Sequence, residues 1–438
     1  MEQVVAADTR FMREVNAAAV LRRLRSEPSM SVSALAKAVG LSRQAVTRSL
    51  NALAEEGLVE FGPLDRDSTR AGRPAQLVRF RAEAGHVLGL SISPQDLRVA
   101  VADLAGTTSS SRVVQLPSGL GGEQAVETLL STIGAVLEPA GLTVGDIWFA
   151  TAGTPGIVDP ATGVVKLIPS MPGLGGDVLV RRLKESLGCP VYVDNDVKLA
   201  TQGERWRGAE RREDSLVMLH WGERVGAGIV LNGELYRGAS NDAGDVGFLD
   251  VFADGDGTAP AAPGPGAAGR RAAGPGAAGP AARHPHGLGP FERRVGGAEI
   301  VRLAAAAAER DGDDAFRARI EAAGERAFDA VLDAVAAGAP AALEAIDVVA
   351  GRFARGVAAI RAILDPRLVV IGGPLARCGE TLLDAVRRHL AGQPLGQPAL
   401  EVSTLRDDAV VHGALRHSIG EIERSALGLA RGGRQETR

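Results

Sequence analysis

The chain has 438 residues, of which 45% are hydrophobic and 3% aromatic, and its formal net charge is -4. Such a length exceeds what one core organises and predicts two or three domains, while the scarcity of aromatic rings argues against a protein that holds nucleic acid by base stacking. The charge is unevenly spread: residues 1–83 hold 13 Lys and Arg against 10 Asp and Glu, and the remainder holds 36 against 43, so the N-terminal part is the one suited to phosphate.

Cys189 and Cys378 are the only cysteines, which gives neither a disulfide framework nor a cysteine metal cage. No apolar run is long enough to span a bilayer, and the first residues are acidic and lack the apolar core of a signal peptide. The expectation is a cytoplasmic protein with no membrane partner.

The first predicted element is a helix through VNAAAVLRRLRSE. In SVSALAKAVG, Ser33 suits the cap of a second helix with Leu35 and Val39 turned inward, and Gly40 supplies its left-handed stop. Ser42 then caps a third helix in which Val46, Leu50 and Leu53 recur at helical spacing, leaving Arg43, Gln44, Thr47 and Arg48 outward near its start. Two helices joined by a short glycine turn, the second with Arg and Gln on its leading face, form a helix-turn-helix able to read base edges. Apolar stretches at Leu58 and Val59 and at Leu77 and Val78 flank a polar loop with Arg66, Arg70 and Arg73, which predicts a β-hairpin wing. Arg73, in Gly-Arg-Pro, suits a minor groove. The alternative for residues 1–83 is a three-helix protein-interaction domain with a solvated arginine face.

From His86 onward, strand-like runs in HVLGLSIS, DIWFATAGTPG, PVYVDNDV, LVMLHW, GAGIVLNGELYRG and PRLVVIGG alternate with helical runs such as Leu179 to Leu187. This alternation predicts an α/β fold with helices covering sheets. Between Phe252 and Gly289 the chain becomes a run of Ala, Gly and Pro, a composition that buries too little apolar surface to offset the entropy of ordering it.

The segments TAGTPGIVD, VDNDVKLATQGE, GAGIVLNGELYRGA, AGDVGF, LDPRLVVIGG and GALRHSI, in this order, resemble the ROK family of repressors and sugar kinases over nearly the whole chain. Within it, the closest resemblance is to regulators that carry a winged helix before a sugar-kinase-like body. The resemblance implies an N-terminal winged helix-turn-helix over 1–83 followed by a two-lobed actin-like ATPase fold. The first lobe is expected over 86–195 and the second over 196–404 with the insertion near 253–288, and a C-terminal helix over 405–425 returns to the first lobe. A homodimer or dimer of dimers on a double-stranded operator, with a sugar or amino-sugar effector between the lobes, is also implied. The positions that match the family's sugar site are Asn195, Asp196, Asp245 and Glu292. By their residue types alone, Asp196 also suits a helix cap and Glu292 a surface ion pair with Arg293 and Arg294.

The sequence departs from the family where phosphate and metal are handled. Ser91 stands for an Asp and Pro94 for a glycine in the first phosphate turn, and Glu223 and Arg224 interrupt the second. A carboxylate beside a triphosphate is electrostatically unfavourable. Phe248 stands for the zinc-binding His, and the cysteine-rich loop is replaced by the Ala/Gly/Pro run, in which His284 and His286 lack a third ligand. The expectation is a ligand-responsive regulator, a repressor, without catalytic residues, cofactor or metal. A regulator whose body only dimerises is the alternative, and an active sugar kinase is the third.

Overall fold

The computed structural model describes residues 9–27, 29–65, 75–168, 170–171, 173–208, 213–252, 287–392 and 394–426. The chain forms two compact units, one comprising residues 1–207 and 408–438 and the other 208–407.

In the first unit, α1 (Thr9–Arg25) leads into a short strand β1 (Met30–Ser31), then α2 (Val32–Val39) and α3 (Arg43–Glu55). The wing follows as β2 (Val59–Asp65) and β3 (Ala75–Phe80), antiparallel, with β1 on the outer edge of β3. Ser31, not Ser33, caps α2, its hydroxyl accepting from the Ala34 N–H. The cause is β1: Ser31 still pairs with Leu77, so the helix starts at the next residue and takes Ser33 into its first turn. Gly40 ends α2 at φ 68°, a conformation in which a Cβ would meet its own carbonyl.

Next comes a five-stranded sheet in the order β10-β7-β4-β5-β6. It is built from β4 (His86–Ile92), β5 (Asp96–Asp103), β6 (Thr108–Gln115), β7 (Ile147–Thr154) and β10 (Val191–Asn195), with the small hairpin β8 (Ile157–Asp159) and β9 (Val164–Leu167) beside it. The strand period of two divides its residues between two cores. Leu88, Leu90, Ile92, Leu97, Val99 and Val101 pack under α4 (Gly122–Leu137) and α5 (Val178–Leu187). The alternate residues Val87, Ala100 and Ala102 join a different cluster, made with Val20, Leu21, Leu24, Leu58 and Phe80 of the winged helix and Val411, Leu415 and Ile419 of the last helix.

After α6 (Asp196–Gly203) and one π turn (Glu204–Gly208), the chain passes into the second unit. Its sheet runs β13-β12-β11-β14-β15, from β11 (Leu216–Trp221), β12 (Val225–Leu231), β13 (Glu234–Tyr236), β14 (Leu368–Gly372) and β15 (Ala399–Val402). Against it lie α7 (Glu292–Val295), α8 (Gly297–Asp311), α9 (Asp314–Ala323), α10 (Ala327–Ala336), α11 (Pro340–Leu364) and α12 (Gly379–Leu390). Trp221 is fully buried, stacked on Phe353 with 3.7 Å between ring centroids, and its indole N–H donates to the Val295 carbonyl.

The last helix, α13 (Ala409–Ala426), belongs to the first unit. The crossover therefore falls at 207/208 and 407/408, later than the 195/196 and 404/405 boundaries read from the sequence. The reason is that α6 crosses α13 at glycines. A Cβ on Gly413 would lie 1.7 Å from the Leu199 carbonyl oxygen, and one on Gly203 would lie 2.1 Å from that of Ala409, so the backbones touch and hold α6 to the first unit.

Candidate functional site

The helix read as base-contacting is built as its spacing demands. Ser42 caps α3 by accepting from the Ala45 N–H at 3.2 Å. Val46, Leu50 and Leu53 are buried, which rolls Arg43, Gln44, Thr47 and Arg48 into solvent on the opposite face. The side chains of Arg43, Gln44 and Arg48 make no hydrogen bond or ion pair among the described residues. Thr47 differs, since its hydroxyl donates to the Arg43 carbonyl at 2.9 Å. The wing-loop arginines Arg70 and Arg73 lie outside the described residues.

In the first unit, Asn195 and Asp196 stand where β10 turns into α6. The cap of α6 is Asn195, not Asp196: its side-chain oxygen accepts from the Lys198 N–H at 3.2 Å, and its amide donates to the Gly156 carbonyl at 3.0 Å. Asp196 is the first helical residue and half-buried, with its carboxylate accepting from the Val197 N–H. Asp194, fully buried, accepts from the Asn195 N–H at 2.9 Å and from the Tyr192 hydroxyl at 3.0 Å. The Tyr192 ring stacks on His417 of α13, with centroids 3.9 Å apart, and His417 also meets Thr151 at 3.1 Å. This Tyr192, Asp194 and His417 support escaped the sequence reading. The run VDND shows the acid, but nothing local shows that a helix more than two hundred residues on supplies its stacking partner.

In the second unit, Asp245 precedes a single 3-10 turn (Val246–Phe248) and is exposed. Phe248 is 59% exposed, because the turn carries it off the core that Gly247 enters. Glu292 is 4% exposed and is not a surface partner of Arg293 or Arg294. Its Oε1 accepts from the Val225 N–H at 3.0 Å and from Arg224 Nε at 3.3 Å. Its Oε2 accepts from the Gly289 N–H at 3.1 Å and from Arg224 Nη2 at 3.3 Å. A buried carboxylate needs this company. Glu223 next door is exposed as a residue, yet protein crowds its carboxyl group, and that burial raises its pKa above the ordinary value, with Asp329 and Glu325 pushing the same way.

The turn read as the first phosphate loop has its backbone groups already engaged. Between β4 and β5 the Ser93 N–H donates to the Asp96 carbonyl, the Gln95 and Asp96 N–H groups donate to the Ser93 hydroxyl, and Pro94 has no N–H. No N–H of that turn is left to cradle an anion. Ser91 is buried and Asp96 pairs with Arg98 at 2.7 Å. For zinc, Phe248 offers no donor atom, and His284 and His286 lie outside the described residues. Among the described residues, no group of three or more His, Cys, Asp or Glu could hold a metal ion. Nor is any single described helix long and apolar enough to cross a membrane.

Fold and site together define a winged helix carried on a sugar-kinase-like body. The crystal structure of a ROK family transcriptional regulator, a homolog of the E. coli MLC protein, superposes with a TM-score of 0.69 at 20% identity, covering 95% of this chain and 98% of its own. A ROK glucokinase from Streptomyces griseus, solved with glucose and AMPPNP, matches at 0.60 and 23% identity over 76% of this chain and 99% of its own. The ROK family model matches residues 87–272 and 309–418, and a MarR family model matches 14–68. The chain belongs to the ROK family. A xylose repressor of Caldicellulosiruptor bescii is 23% identical over 94% of this chain and 97% of its own length. The regulator NagC of Escherichia coli is 26% identical over 55% and 58%.

Proposed function

We propose that the protein is a DNA-binding transcriptional regulator, a repressor acting as a homodimer or dimer of dimers, whose ROK body answers to a sugar or amino sugar and does not transfer phosphate. One observation carries the reading: α3 holds Arg43, Gln44 and Arg48 unengaged in one exposed row, on a winged helix whose core is shared with the body. The relative named as a xylose repressor and the one named as a DNA-binding transcriptional dual regulator support DNA binding and a sugar effector. The occupied turn at Ser93 and the crowded carboxyl of Glu223 oppose a bound triphosphate.

Asn195, Asp196, Asp245 and Glu292 are the effector contacts in this reading. A route from Asn195 and Asp196 to the DNA-binding domain lies within the first unit. Helix α6 presses on α13 backbone to backbone, α13 shares apolar contacts with α1 and the wing, and Glu423 of α13 pairs with Arg25 of α1. A ligand that shifts α6 therefore pushes a helix seated on α1.

A second reading, in which the body binds no ligand and only dimerises, draws on the internal satisfaction of Asn195 and Glu292. Footprinting of the full chain on genomic DNA, followed by operator titration with and without xylose, glucose and N-acetylglucosamine, separates the two. Operator affinity should change by about 1–3 kcal/mol with one of the sugars. Equal affinity for operator and random duplex would sink both readings, and sequence-specific binding that no sugar alters would leave the second.

A further inference from the structure

The four hydrogen bonds to Glu292 are not equivalent. An ionised carboxylate has about four lone-pair sites, so this one is full. Two of its donors, the Val225 and Gly289 N–H groups at 3.0 and 3.1 Å, belong to the frame of the unit. The other two are both on Arg224, each at 3.3 Å, longer than the roughly 2.7–2.9 Å of a firm charge-assisted pair. The Arg224 side chain is 39% exposed, against 4% for Glu292. Arg224 Nη2 also donates to the Gly287 carbonyl at 3.3 Å, a second acceptor outside the carboxylate. One face of the carboxylate is therefore held by backbone N–H groups and the other is closed by a partly exposed side-chain cation.

The geometry points to Arg224 as a built-in competitor of the effector and hence a determinant of its affinity and class. The parallel N–H groups of Nε and Nη2 bind the two carboxylate oxygens side by side, which is how two vicinal hydroxyls of a sugar bind a carboxylate. An effector that uses Glu292 must displace Arg224 and replace both donors at once. A ligand with adjacent free hydroxyls meets that demand, and one with a single hydroxyl leaves a buried oxygen unpaired. The Val225 and Gly289 N–H groups hold the carboxylate in place throughout, so Arg224 is not needed to position it.

This inference rests on the effector reading above, and its test keeps the two apart. Calorimetric titration of the full chain with xylose, glucose and N-acetylglucosamine is compared for the native protein, Arg224→Ala, Arg224→Lys and Glu292→Gln. For a sugar that binds, Arg224→Ala should tighten the dissociation constant about fivefold to tenfold, the scale of a partly exposed charge-assisted pair. Arg224→Lys, which keeps the charge but offers a single point donor, should fall between, and Glu292→Gln should lose binding. A sugar bound by Arg224→Ala but not by the native chain supports the proposal more strongly. Should Arg224→Ala fail to fold, Arg224→Lys decides by the same sign. Binding by the native chain that the Arg224 variants weaken or leave unchanged overturns the competitor while the effector reading stands. Absence of binding in every protein overturns both.

Discussion

Arg43 and Arg48 owe their availability to three leucine-class neighbours. Because Val46, Leu50 and Leu53 are buried on one side of α3, the two guanidiniums have solvent around them and no acidic partner among the described residues. A guanidinium offers a bidentate fork that matches the O6 and N7 acceptors of guanine. Arg43→Ala or Arg48→Ala should cost about 1–3 kcal/mol of operator affinity and relax the preference at one base position. Anisotropy titrations against single-base operator variants read this directly. If only the salt dependence shifts and the preference stays, these side chains touch phosphate and not bases. Thr47 contributes less, because its hydroxyl already serves the Arg43 carbonyl.

Among the elements, α13 carries the most varied load. One side meets α6 at Gly413, another offers Val411, Leu415 and Ile419 to the winged helix, and His412 faces Arg207 at 3.4 Å. Burial first, then the Arg207 charge, hold the His412 pKa below its ordinary 6.5, with Asp408 opposing. A histidine depressed in the folded state is neutral there and takes up a proton more readily on unfolding. Stability from this site is thus complete above the unfolded value of about 6.5 and falls as pH drops through it toward the lower folded value. Thermal melts of the native chain should show that loss, and His412→Gln should flatten it. An unchanged slope in the variant would place the acid sensitivity elsewhere.

The same element marks how far sequence reasoning reaches. Strands β7, β10, β11, β12 and β14 were legible because each is a short apolar run bounded by Gly, Pro or Asn, and α3 was legible because cap and period agree. Ser31 displaced Ser33 as a cap because strand pairing to Leu77, a tertiary fact, decided where α2 begins. The clasp on Glu292 was not legible, since Arg224 lies 68 residues away across the Ala/Gly/Pro run. Its neighbours Arg293 and Arg294 offered a nearer, mistaken partner. Helix capping and periodicity are local, whereas the pairing of a buried charge is settled by whichever opposite charge the fold brings near.

At the scale of the whole molecule, the winged helix does not own its core. Leu21, Leu24, Leu58 and Phe80 are completed by Val87, Ala100 and Ala102 from the adjoining sheet and by Leu415 and Ile419 from α13. Arg25, held by burial and by Arg416 at a pKa of about 10, pairs with Glu423. A domain that borrows so much of its interior melts with its lender. Scanning calorimetry should find the winged helix unfolding in one transition with the rest of the first unit. Deleting residues 1–83 should lower that transition by exposing Ala100, Ala102, Leu415 and Ile419. A separate winged-helix transition, absent from the deletion and leaving the remainder unmoved, would contradict this.

That borrowed interior also has a bearing on synthesis. The ribosome makes α1, α2, α3 and the wing first, yet the helix that seals them is reached only after residue 408, once the whole second unit has emerged. A chain halted before Ala409 leaves Leu21, Leu58 and Phe80 without the part of their cover that α13 supplies, so the part that would meet DNA is completed last although it is translated earlier. A copy ended before Ala409 should therefore carry a less stable winged helix than the complete chain.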